Sequence, residues 1–197
     1  MYKKQMRFQK IACLFAIIAA AIMFIYSLGI MTDLYDSLYS NMMNPNDLTQ
    51  TSVPGSIIYY DMQDFNKSFT NVSICLILAA AFLFVSNTNI RRRYYISNFI
   101  ATGIYSVATV AVSVWAHLQI SAFKVQYLTT VDFEALKKFS ELWGKPYIES
   151  TFWLDLHYFV CGIAILSVVA LVYNAYWKVQ MMRGEQALLD GAKEVAA

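Results

Sequence analysis

The sequence predicts an all-α fold, an integral membrane four-helix bundle whose helices extend beyond the bilayer on the outer side. Composition is the first observation behind that expectation: 58% of the 197 residues are hydrophobic and 14% are charged. An average soluble domain has about 45–50% apolar and about 25% charged residues. The second is the stretch from Tyr94 to Phe123, thirty residues without a formal charge, entered through Arg91-Arg92-Arg93. A hydrocarbon core about 30 Å thick needs roughly 20 helical residues, so this stretch crosses it and continues beyond one face. The third is that three further apolar runs of spanning character flank it. No linker rich in Pro, Gly or Ser and no internal repeat divides the chain, so residues 1–197 read as a single membrane domain. Its expected spans are about 11–31, 70–90, 95–121 and 154–177. Residues 32–69 and 122–153 then lie outside, and 1–10, 91–94 and 178–197 are cytoplasmic.

The first span follows a basic start, Lys3, Lys4, Arg7 and Lys10. Its apolar run continues for ten residues past Ala19-Ala20-Ala21, which favours a span over a cleaved signal core of about 7–15 residues. After it, Met31, Leu34/Tyr35, Leu38/Tyr39 and Met42 recur at helical spacing, predicting about three more turns outside the membrane. That helix is expected to stop near Asn44-Pro45-Asn46-Asp47. Pro54-Gly55 is a second break, and Ser56 is the expected N-cap of the next helix. Ile58, Met62, Phe65, Phe69, Val72 and Leu76 then carry a 4-3-4-3-4 stripe into the second span.

The third span is the uncharged stretch itself, and the positive-inside bias places its arginine end in the cytoplasm. Arg91, Arg92 and Arg93 are thus the topology determinant, and they put both termini inside a cell membrane. Beyond Lys124, a Thr129/Thr130 N-cap, early acids, later lysines and a Gly144-Pro146 stop predict a short amphipathic helix with Phe133, Leu136, Phe139/Ser140 and Trp143 on one side. The fourth span ends at Trp177-Lys178. Trp115, Trp143 and Trp153 fall near the outer boundary and Trp177 near the inner one, levels that indoles favour.

Under this topology the cytoplasmic segments hold ten Lys/Arg against three Asp/Glu, and the outer ones five against ten. The basic side suits anionic lipid at the cytoplasmic face at about 1 kcal/mol per well-placed residue. Nucleic-acid binding is not expected, because orienting the helices accounts for the one basic cluster. Cys13, Cys75 and Cys161 all fall within spans, so no disulfide can staple the outer segments. Four-span families built on outer disulfides or a Cys-x-x-Cys, such as claudins, tetraspanins, connexins and quinone-coupled disulfide enzymes, are excluded.

Chemistry is sparse. There is no phosphate-binding glycine loop, no His-Glu-x-x-His and no nucleophile motif, so no catalytic residue and no cofactor are expected. Thr102, Ser106, Thr109, Ser113 and Ala116 follow a 4-3-4-3 spacing and form one small, largely hydroxylated seam, suited to close helix packing or to lining a pore. His117 lies about 36 Å of helix beyond Arg93 and His157 about 30 Å before Trp177, so both end near the outer boundary. If the two helices are neighbours, His117 and His157 with Asp155, or with Glu149, form a candidate metal site, or the two histidines a bis-histidine haem site. Tyr35, Tyr39, Tyr59, Trp143 and Tyr147 supply aromatic anchors for a partner surface. The expected function is that of an accessory or scaffold subunit, partnered by the lipid bilayer and by other membrane subunits or further copies of itself. A homo-oligomeric pore is the alternative, and a His-ligated metal or haem redox protein is the second alternative.

Overall fold

The computed structural model describes residues 2–39, 53–88 and 95–196. The chain order is α1 (Tyr2–Gly29), α2 (Thr32–Ser37), α3 (Ile58–Asn87), α4 (Ile96–Thr130), α5 (Phe133–Trp143) and α6 (Phe152–Ala196), with no strand among the described residues. Among the described residues four segments are long and apolar enough to cross a membrane: Tyr2–Ser37, Ile58–Asn87, Ile96–Thr130 and Phe152–Gly191. The surface supports the same reading. Large apolar side chains such as Ile11, Ile25, Phe82, Ile104, Val107 and Phe159 point outward, while Ala12, Ala16, Ala19, Ala80, Ser106 and Ala164 are buried. Large residues on the outside and small ones between helices are the pattern of packing in lipid. The protein is an all-α, multi-pass membrane protein.

The chain divides into two compact units, and each of the four long segments contributes to both. The first unit contains Met1–Ala21, Cys75–Ala111 and Ile163–Ala197. Its buried positions include Gln5, Gln9, Ala12, Ala16 and Ala19 on α1, and Leu76, Ala80, Leu83 and Asn87 on α3. Asn98, Thr102, Tyr105 and Thr109 follow on α4, and Ala164, Ser167, Leu171, Asn174 and Lys178 on α6. All four runs alternate steps of four and three, the spacing that keeps one seam facing inward in left-handed helix packing. This periodicity explains why α1 is already helical at Tyr2. Gln5 and Gln9 continue the seam through the basic start while Lys3, Lys4, Arg7 and Lys10 stay exposed.

The second unit contains Ile22–Ile74 and Val112–Gly162. Here the core is larger in residue size, with Tyr127, Phe69, Met23, Leu34, Met62, Leu136 and Leu154 fully buried. Phe65 stacks on Phe69 at 5.7 Å and meets Trp115 at 5.1 Å and Phe123 at 5.8 Å. The α3 stripe, which Leu76 continues in the first unit, is buried here at Ile58, Met62, Phe65 and Phe69, whereas the expected Val72 is half-buried and Ser73 takes the inward place. In this unit the expected element ends differ at three places.

The extension of the first helix is interrupted by a turn at Ile30 and Met31 and resumes only as the short α2. Trp153 packs directly against Gly29 at that point. Met42 and the expected stop at Asn44–Asp47 lie outside the described residues. Ser56 does not cap α3, for its hydroxyl is buried without a partner and the helix begins at Ile58 after a turn at Gly55, φ 83°. Thr129 and Thr130 do not cap α5, because both belong to α4 and donate their hydroxyls to Val125 and Gln126 carbonyls. The N-cap is Asp132, whose carboxylate accepts from the Ala135 amide at 2.9 Å. Gly144 ends α5 in the left-handed region, φ 62°, as its position before Lys145-Pro146 predicts.

Candidate functional site

His117 enters the second unit from α4 and His157 from the first turns of α6. His157 is completely buried and His117 half-buried. Their rings lie 5.2 Å apart and 30° from parallel, with His117 Nδ1 3.0 Å from His157 Nε2. Tyr158 covers the pair, 4.0 Å from the His157 ring and 5.5 Å from the His117 ring. The remaining His157 nitrogen, Nδ1, sits against the Leu154 carbonyl. A carbonyl oxygen can only accept, so Nδ1 carries the proton and Nε2 of a neutral His157 is the acceptor. His117 Nδ1–H is then the donor of the imidazole–imidazole bond. A single proton occupies the space between the rings, and any cation bound by both nitrogens must displace it.

Asp155, the third residue expected at this site, turns to other partners. Its carboxylate takes Lys124 Nζ at 2.5 Å and the Thr151 hydroxyl at 2.9 Å. Among the described residues no group of three His, Cys, Asp or Glu side chains is placed to hold a metal ion. Two of the three expected residues are therefore brought together and the third is engaged beside them.

The expected small-residue seam is buried along its length, from Thr102, Ser106 and Thr109 in the first unit to Ser113 and Ala116 in the second. Thr102 and Thr109 donate to the Asn98 and Tyr105 carbonyls four residues back, at 2.8 and 2.9 Å. The Ser113 carbonyl lies 3.6 Å from Cys161 Sγ, and the Ser106 hydroxyl is buried without a partner. These are the contacts of close helix packing.

Of the expected partner surface, Tyr35, Tyr39 and Tyr59 form an aromatic cluster, with Tyr35 on Tyr39 and Tyr39 on Tyr59 both at 5.0 Å. Tyr35 is 48% exposed, Trp143 64% and Tyr147 40%, and Leu142 beside Trp143 is 79% exposed. The Tyr147 hydroxyl donates to Glu149 at 2.5 Å, and this bond pushes the phenol up from its ordinary 10 to about 12. Arg91, Arg92 and Arg93 lie outside the described residues.

Sequence reasoning missed a buried polar ladder in the first unit. Gln5 Nε2 donates to Gln9 Oε1 at 3.1 Å and to Asn174 Oδ1 at 2.9 Å, and Gln9 Nε2 donates to the Asn87 carbonyl. Lys178, expected to mark the rim of the last span, is only 3% exposed, with Nζ 3.4 Å from Asn87 Oδ1. The available signal was the 4-3 spacing of Gln5 and Gln9 with Ala12, Ala16 and Ala19. Comparison of the chain with protein-family models, curated proteins and solved structures gave no match.

Proposed function

We propose that the protein is an accessory or scaffold subunit of a membrane complex, held in the cell membrane with both termini cytoplasmic. It engages its partner through the exposed aromatic end of α5. The observation that carries this reading is the joint exposure of Leu142, Trp143 and Tyr147 on a segment outside the four spanning helices. Tyr and Trp anchors surrounded by charge are what binding hot spots are made of, and Glu141, Lys145 and Glu149 supply the charge.

The test is the mass and absorption spectrum of the protein extracted gently from its own membrane, alongside a Leu142→Ser/Trp143→Ala variant. A second protein co-purifying at fixed stoichiometry with the wild type and absent from the variant is the expected result. A colourless homo-oligomer that conducts in reconstituted vesicles would replace this reading with a pore, and a Soret band with a haem protein.

A further inference from the structure

Beyond Trp177, α6 presents Val179, Met182, Arg183 and Gln186 along one face, at steps of three, one and three. The first turns of α4 present Ile96 and Phe99. In the first unit these six residues line a groove of about 460 Å³. Its walls are aliphatic and aromatic, and Arg183 is its one charged residue. Among the described residues no acid pairs with that guanidinium.

A second cation stands behind the groove. Lys178 Nζ lies over the Phe99 ring, 5.7 Å from its centroid, and 3.4 Å from the side-chain oxygen of Asn87. No carboxylate neutralises it among the described residues. A largely apolar slot with one exposed cation and no acid in its lining complements an anion that carries a hydrocarbon chain. The groove also lies at the end of the spanning helices that holds the basic residues Lys3, Lys4, Arg7 and Lys10.

We infer that this groove binds an acidic phospholipid, with one acyl chain along Ile96, Phe99, Val179 and Met182 and the phosphate paired with Arg183. The inference stands on the membrane-spanning fold and is independent of the partner surface on α5. A neutral zwitterionic lipid has the same chains and cancels its own phosphate charge, so the site discriminates by headgroup.

The experiment is native mass spectrometry of the delipidated full-length protein in detergent, titrated with phosphatidylglycerol or with phosphatidylcholine of the same chains. Wild type is expected to retain one phosphatidylglycerol with at least about fivefold preference, the value of one well-placed cation. Arg183→Gln, at an exposed position, removes the preference. Val179→Trp fills the groove and lowers retention of both lipids, and Lys137→Gln, an exposed base on α5 in the other unit, leaves the preference unchanged. Equal retention of the two lipids by wild type would overturn the inference, as would an Arg183→Gln protein that still discriminates. So would displacement of the lipid by glycerol phosphate, which has no chain, or a dimer that Val179→Trp dissolves, since the groove would then be a phosphate site or a contact between copies.

Discussion

Gly29 and Gly55 are the two residues at which a single methyl group has nowhere to go. A Cβ on Gly29 would enter the indole ring of Trp153, so Gly29→Ala must displace a large packed side chain. Overpacking of this kind costs about 1–3 kcal/mol, and Trp153→Leu in the same chain should recover part of it in a double-mutant cycle read by thermal unfolding in detergent. At Gly55 the obstacle is backbone: a Cβ would meet the Thr130 carbonyl, and φ is 83°. The left-handed conformation alone costs a non-glycine residue about 1–2 kcal/mol, so Gly55→Ala is the more damaging change. Tyr147 belongs to the same scale. Its phenol is held protonated by Glu149, with the folded value raised from 10 to about 12. A raised value means that the bond's contribution is complete below pH 10 and disappears as pH climbs to about 12. In a phenolate absorbance titration, Tyr147→Phe is expected to remove one tyrosine from the late-ionising fraction.

Helix ends are the feature that local patterns misplace. Thr129 and Thr130 have the residue type of an N-cap, yet a threonine inside a helix bonds equally well to the carbonyl four residues back, and Asp132 was free to cap instead. Asp132→Ala is accordingly expected to cost about 1 kcal/mol. The start of α6 has a cap that no local pattern contains. Asp33 on α2 accepts from the Trp153 amide at 2.7 Å and the Leu154 amide at 3.3 Å while only 4% exposed. A carboxylate meeting the unpaired amides of a helix N-terminus supplies a charged hydrogen bond, so Asp33→Ala is expected to cost about 1.5–3 kcal/mol. Hydrogen exchange at Trp153 and Leu154 should accelerate in that variant and stay unchanged in Asp132→Ala. On α4, the unpartnered Ser106 hydroxyl gives a contrast in sign. Ser106→Ala is expected to be neutral or stabilising by up to about 1 kcal/mol, whereas Ser106→Leu overpacks the seam by about 1–3 kcal/mol.

For the molecule as a whole, the proposed orientation rests on basic residues counted along the chain, and the proposal that both termini are cytoplasmic is checked by labelling. With Cys13, Cys75 and Cys161 replaced by alanine, a cysteine at Lys3 should react with an impermeant maleimide only after the membrane is opened. One at Lys137 should react in intact cells. The reverse result would invert the protein in its membrane. By itself the sequence determined the all-α class, the four spans and the inward seam of Thr102, Ser106, Thr109, Ser113 and Ala116. These depend on runs of apolar residues and on helical periodicity, which are local properties that a bilayer about 30 Å thick reads directly. Tertiary structure alone decided that His117 and His157 meet at 3.0 Å while Asp155 turns to Lys124, that Asp33 caps a helix 120 residues away, and that Lys178 is buried beside Asn87. Each of those is a pairing between helices far apart in the chain. Its partner is chosen by which faces pack together, a choice that the spacing within one helix does not contain.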